Sequence, residues 1–359
     1  MKNSEPDIAR QRLYNQHIAK AMFDKPDDVV GWMGAVQAQD YTGALWAVGL
    51  RTKNASEKDI QKAIADKTII RTWPMRRTLH FVAAADVRWM LELLTPRVIA
   101  ASALRARYFD LDDRVFERSK AAFQRALEGG KQLRRDAMYK LLERARIATG
   151  GGRGLHILAR LALEGVICFG AREGKQPTFA LLNECAPTAK KMARDESLAE
   201  ITRRYFTSHG PATLQDFVWW SGLRTSDARA GLEMAKPHLV EEVINGQTYW
   251  LHSTAPAAKD TSLTAYLLPA YDEYTVAYKD RRAVLDPLYA KQASTGNGIF
   301  YPSIVVKGRV VGTWKRTLKK DAIVITPNFF ERLNKAETRA LSEAADRYGE
   351  FLNASVVLG

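Results

Sequence analysis

Apolar residues recur at two periods along this chain, and the switches between them mark out its elements. A helical pattern over Ser56 to Lys67 gives way to a strand, Ile69-Ile70-Arg71-Thr72, then a turn near Pro74 to Arg77 and a second strand, Thr78 to Val82. The arrangement returns twice with little letter-for-letter identity. Gly154 to Glu164 leads to Val166 to Phe169, a turn through Gly170 to Pro177, and Thr178 to Leu182. Ser226 to Ala235 leads to Leu239 to Ile244, the turn Asn245-Gly246, and Thr248 to Leu251. Asn-Gly between two apolar runs is a strong hairpin signal, because a type I′ turn needs positive φ at both central residues. Helices followed by a hairpin make the winged-helix arrangement. Helical pattern also fills Ala84 to Glu128, and Leu155, Leu158, Leu161 and Ala162 predict one buried stripe.

From Ser262 onward the pattern changes to short apolar runs punctuated by Gly and Pro: Leu263 to Leu268, Ile299 to Val306, Val310 to Trp314 and Ala322 to Ile325. One helix, about Asn328 to Gly349, precedes a last strand, Ala354 to Leu358, and Thr254 to Thr261 reads as a linker. The expected fold class is α+β: three tandem winged-helix units and a C-terminal β-rich unit. The boundaries are 1–85 for the first winged helix, 86–130 for a helical connector, 131–186 and 187–255 for the second and third winged helices, and 262–359 for the C-terminal unit.

Charge changes this picture from a fold to a partner. The net charge is +14, and it is clustered. Residues 97–160 hold 15 Lys/Arg against 7 Asp/Glu, and residues 277–320 hold 10 against 2, so the rest of the chain is nearly neutral. Two basic blocks are the footprint of a polyanion-binding protein, or else solvated faces of a basic soluble one. Two cysteines, Cys168 and Cys185, without CxxC spacing, suggest neither a disulfide framework nor a zinc site. The six histidines form no HxxxH or HExxH, so no metal and no cofactor are expected. The opening residues carry no apolar run suited to a signal peptide, and no stretch reaches membrane-spanning length. The expected location is the cytoplasm, in association with the nucleoid.

The candidate chemistry sits in Val36-Gln37-Ala38-Gln39-Asp40. Pro26, Asp27 and Asp28 suit a helix start, with helix through Val29 to Val36; Asp40 or Thr42 can cap a following helix, Gly43 to Leu50. Residues two apart do not share a helix face, so Gln37 and Gln39 converge only at a corner between the helices. There they either reach a ligand or satisfy orphan carbonyls. Two amides can orient a water but cannot deprotonate it, so they suffice only where the leaving group is already primed. Asp40, Asp272 and Glu273 are candidate supporting carboxylates. Asp272 and Glu273 are adjacent and in a strand would point to opposite faces. Arg71, Arg76 and Arg77 decorate the first hairpin with His80, either tracking phosphates or lining a solvated turn; His80 reads as a structural hydrogen-bonding residue. Arg153 follows Gly150-Gly151-Gly152, a connector or a phosphate contact. Arg281, Arg282, Lys315 and Arg316 are the candidates of the second basic block.

Five segments carry a resemblance across nearly the whole chain: Gly34 to Asp40, Arg71-Thr72-Trp73-Pro74-Met75-Arg76-Arg77-Thr78-Leu79-His80, Trp219-Trp220-Ser221-Gly222-Leu223, Leu268-Pro269-Ala270-Tyr271-Asp272-Glu273-Tyr274, and Gly308 to Trp314. The chain resembles the AlkZ-like family of winged-helix DNA glycosylases. The resemblance implies three tandem winged helices and a C-terminal β-barrel forming a concave basic cleft. It implies a monofunctional glycosylase acting on duplex DNA to excise alkylated purines and, in some members, to unhook interstrand crosslinks joined at guanine N7; a monomer is the default expectation. The family's Gln-hydrophobic-Gln motif maps to Gln37 and Gln39. Two positions depart from the pattern. Arg77 stands where relatives usually have Gly, which argues against a φ > 0 turn or for an added phosphate contact. Ala277 replaces a usual Gly. The alternative expectation is a non-catalytic winged-helix DNA-binding protein, a regulator or a lesion-sequestering factor.

Overall fold

The computed structural model describes residues 5–255, 264–296, 298–319 and 322–359, so residues 256–261 of the expected linker and Leu263 lie outside the described residues. The described residues form two compact units. One comprises the chain up to Ile60 with Leu198–Trp220 and Arg224–Gly359; the other is Gln61–Ser197 with Ser221–Leu223. This grouping cuts across the sequence-based boundaries at 85/86, 130/131 and 186/187.

The reason lies in the sheet of the second unit. Strands Ile69–Met75 and Thr78–Ala83 form the first expected hairpin, and Ile167–Phe169 with Thr178–Leu181 forms the second. The two hairpins then join through an antiparallel pairing at Arg71 and Phe169, and the short strand Leu133–Arg134 extends the sheet on Thr178–Leu181. Two hairpins that share a ladder bury one core together. Phe123, Met138, Leu142, Ile157, Leu158 and Leu161 fill it, with Phe169 and Phe179 from the sheet. The stripe on helix Arg153–Leu163 is therefore Ile157, Leu158, Leu161 and Ala162. Leu155, expected to be part of it, is 47% exposed: three residues before Leu158, it falls in the first turn, outside the core. The span Ala84 to Glu128 is helical as three pieces, Val87–Ala101, Ala103–Tyr108 and Asp113–Leu127.

In the first unit, the third hairpin pairs Leu239–Ile244 with Gln247–His252 around Asn245 and Gly246, both at positive φ. The C-terminal β-rich region is a curled, five-stranded half-barrel in the order Val356–Leu358, Ile323–Phe329, Arg309–Leu318, Ser303–Val306, Ala265–Leu268. Among the described residues its two end strands are not paired with each other, so the barrel expected from the family resemblance is open. A bulge between Ile304 and Val305 increases the local twist of the sheet. The last helix starts later than the sequence pattern indicates. Asn334 caps Lys335–Leu352 with a complete capping box to Glu337, because the residues from Asn328 to Phe329 still belong to a strand. Two indoles fix the strand Ala265–Leu268 that leads into the site: Trp46 Nε1 donates to the Leu267 carbonyl (2.7 Å) and Trp314 Nε1 to that of Leu268 (2.8 Å).

Candidate active site

Helix Pro26–Met33 opens on a proline with Asp27 and Asp28 in its first turn, where their charges complement the helix N-terminus. It ends three residues earlier than the sequence pattern indicates. Gly34 adopts φ +75°, a conformation that favours glycine, and a Cβ there would press on the Trp220 ring at 3.3 Å. The chain then runs extended through Val36–Gln37 before helix Tyr41–Gly49 begins at Asp40. Gln37 and Gln39 thus sit in a non-helical link between two helices. Gln37 is 7% exposed, whereas Gln39 and Asp40 are exposed. The Asp40 side chain makes no capping hydrogen bond; it accepts one from Thr42 Oγ1 at 3.1 Å.

The two adjacent acids stand at the start of a short helix, Glu273–Val276, rather than in a strand. Asp272 is its N-cap and accepts from the Tyr274 amide at 2.9 Å. Its two oxygens also receive a two-pronged grip from Arg51, at 2.8 and 2.9 Å, with both side chains buried. Arg51 is itself saturated by the carbonyls of Gln16 and Ala47 and by the Gln16 amide oxygen. Asp272 is therefore occupied in holding the turn, which carries Tyr271 at φ +61°. Burial raises the Tyr271 phenol, and the nearby Asp40 charge adds to the shift.

Glu273, 1% exposed, projects from that turn onto the glutamine link. Its Oε1 accepts the Gln37 main-chain N–H at 2.8 Å, and its Oε2 accepts the Trp220 indole N–H at 3.0 Å. His209 Nε2 lies 3.7 Å from Oε2, too far for a hydrogen bond. Burial lowers the His209 pKa, with Glu273 acting in the opposite direction, and the ring stacks on Tyr205 at 4.8 Å. Sequence reasoning missed Arg51, His209 and Trp220. Trp220 lies in a segment that carries the family resemblance, but no spacing rule ties an indole to a carboxylate 53 residues later.

The candidate DNA-binding cations fall into different environments. Arg71 is buried, with its guanidinium 4.9 Å over the Phe169 ring, which places it in the sheet rather than on a surface. Arg76 and Arg77 form the hairpin tip with φ of +51° and +59°, so the φ > 0 turn exists despite the missing glycine. Arg77 is exposed and donates to the Ala101 carbonyl at 3.1 Å. Half-buried Arg76 approaches His80 Nε2 at 3.4 Å, while His80 Nδ1 donates to the Thr78 carbonyl at 3.0 Å. Arg153, half-buried, donates to the Phe109 carbonyl. Arg281 packs on the rings of Phe300 and Trp219, and its Nε donates to the Thr275 carbonyl at 2.7 Å. Arg282 is exposed and paired with Asp280. Lys315 is exposed, and Arg316 bridges Tyr348 Oη (2.7 Å) and Thr42 Oγ1 (2.8 Å), two residues beyond Asp40. Among the described residues no group of three or more His, Cys, Asp or Glu could hold a metal ion.

Comparison with known proteins identifies the family of the chain. An interstrand DNA cross-link repair glycosylase of Streptomyces sahachiroi is 28% identical over 353 residues, covering 91% of each chain. The solved structure of Streptomyces sahachiroi DNA glycosylase AlkZ superposes over 100% of both chains with a TM-score of 0.82 and 25% identity. The sequence model of the AlkZ-like DNA glycosylases matches residues 30–351, from inside the helix before the glutamine link to the last long helix. The chain belongs to the DNA glycosylase AlkZ-like family and is a DNA glycosylase.

Proposed function

We propose that this glycosylase excises N7-alkylated purines from duplex DNA, and unhooks interstrand crosslinks joined at that atom, with Gln37 and Gln39 positioning the attacking water. The observation that carries the reading is the anchoring of Gln37. A buried carboxylate fixes its main chain beside an exposed second amide, in a link that is free of helical constraint. The Streptomyces relative, named for cross-link repair, supports the substrate class.

Alkylation at N7 makes the purine cationic, so its departure needs no general acid. The C1′–N9 bond breaks and its electron pair neutralises the base. Water oxygen bonds to C1′, and its proton passes to solvent. Two amide oxygens can hold that water and can favour positive charge on the sugar, which makes positioning and electrostatics the catalytic devices. Glu273 acts through Gln37 as a positioning residue, being too buried to meet substrate. Asp40 is the exposed carboxylate nearest in sequence to the pair and supplies negative charge toward the sugar. The three helix–hairpin repeats act as winged helices, and exposed Arg77, Lys315 and Arg316 engage phosphates, in a protein that works as a monomer.

The test is a duplex carrying one defined guanine–guanine N7 crosslink, followed by denaturing electrophoresis. The wild type is expected to yield separated strands and abasic sites, and the Gln37→Ala/Gln39→Ala variant none. Intact crosslinks and intact monoadducts after prolonged incubation with folded wild-type protein would refute the substrate assignment.

A further inference from the structure

Two large apolar side chains stand in solvent on one short helix of the second unit. Leu104 is 78% exposed and Tyr108 81% exposed, four residues apart on helix Ala103–Tyr108, so they share a face. Arg105 and Arg107 flank them and are exposed. Arg77 reaches the same segment through the Ala101 carbonyl, and Arg97, on the preceding helix, donates to the Gly222 carbonyl at 2.9 Å. Those acceptors are neutral. None of the four guanidiniums pairs with a carboxylate among the described residues, so their charge stays uncompensated. Guanidiniums of this group also act on a nearby histidine. Burial lowers the pKa of His156, and Arg105, Arg77 and Arg160 lower it further.

Exposed apolar pairs of this size mark contact surfaces, and the charge decides the partner. A second copy of this chain would set like charges against each other across a two-fold axis. A nucleic acid duplex instead offers phosphates to the arginines, and sugars and base edges to the apolar pair. Proteins that enter the minor groove combine these two features, cations on the backbone and an apolar wedge against a base step. We propose that the face of helix Ala103–Tyr108 is a duplex-DNA contact in which Arg77, Arg105 and Arg107 engage phosphates and Leu104 and Tyr108 press into the groove. The inference needs only that the substrate is DNA; it stands whether or not Gln37 and Gln39 are the catalytic pair.

Two double variants of the full chain test it, Arg105→Gln/Arg107→Gln and Leu104→Ser/Tyr108→Ser, with Val357→Ser, an exposed apolar residue outside the three hairpins, as the control. Binding to an undamaged fluorescent duplex is measured against salt. The arginine variant is expected to make the slope of log K against log salt about two units shallower, since each lost phosphate contact removes about 0.9. The apolar variant is expected to weaken binding roughly ten-fold with the slope unchanged, as loss of an apolar or stacking contact does. The control should bind as wild type. Wild-type affinity and slope in both double variants would overturn the proposal. So would a dimer in light scattering, or co-sedimentation with anionic vesicles, that is lost on changing Leu104 and Tyr108 while DNA binding is kept. All substituted positions are exposed, so unchanged thermal unfolding checks the fold, and the arginine pair remains decisive if the apolar variant misfolds.

Discussion

At Glu273 one carboxylate oxygen holds the Gln37 amide and the other the Trp220 indole, so the side chain ties the glutamine link to the start of a helix 236 residues away. Glu273→Gln keeps the shape but turns an N–H toward one of two N–H donors. The expected outcome is a fall in single-turnover rate of roughly ten- to hundred-fold, the scale set by displacing a reacting group by about 1 Å, with DNA affinity unchanged. Asp272→Asn acts differently, because it leaves Arg51 as a buried, uncompensated charge. It is expected to destabilise the protein by about 3–5 kcal/mol in denaturant titration, while folded molecules keep most of their rate. A Glu273→Gln enzyme with wild-type kinetics would remove the positioning role. Neither role is readable in the dipeptide Asp272-Glu273, since both depend on partners far away in the chain. The non-helical link that carries Gln37 and Gln39 was legible because its signals are local: helix signals before and after it forced a break there.

At the scale of elements, the first hairpin turns through two arginines with positive φ, a conformation that costs roughly 1–2 kcal/mol per residue for side chains with a Cβ. Arg77→Gly is expected to raise stability by about 0.5–1 kcal/mol, less than the full strain because glycine also loses more entropy on folding. If the Arg77 contact to Ala101 outweighs the strain, the unfolding midpoint will fall instead. All three hairpins were legible from turn chemistry and alternation, to within a residue or so, except that the first strand runs three residues past its expected end, to Met75. Their assembly was not. A single pairing between Arg71 and Phe169 merges the first two, and one such pairing leaves no trace in local periodicity. Arg71 shows the same limit, since a basic residue at a hairpin reads as a phosphate contact until a facing aromatic claims it. The late start of the last helix follows from the opposite imbalance: Ile323–Phe329 extends as a ladder with Arg309–Leu318, and that ladder overrides the helical pattern there.

Over the whole molecule, stability should fall as pH drops below neutrality. Burial, helped by Arg51, lowers the His17 pKa from 6.5 to about 4. Between those values the unfolded chain takes up a proton that the folded protein does not, so stability declines as pH falls through this window and levels off below it. His156 and His209 shift in the same direction. The thermal midpoint is expected to drop between pH 7 and 5, and His17→Gln to flatten part of that drop; an identical pH profile in the variant would contradict the assignment. Whether the glutamine link is the reacting centre is decided by single-turnover release of N7-methylguanine from a defined duplex. Free base and an abasic site are expected from the wild type. In Gln37→Ala/Gln39→Ala the rate is expected to fall by more than about a hundred-fold, because positioning and electrostatics are the only catalytic devices in play, with duplex affinity unchanged. Release at the wild-type rate by that double variant would contradict the glutamine link as the reacting centre.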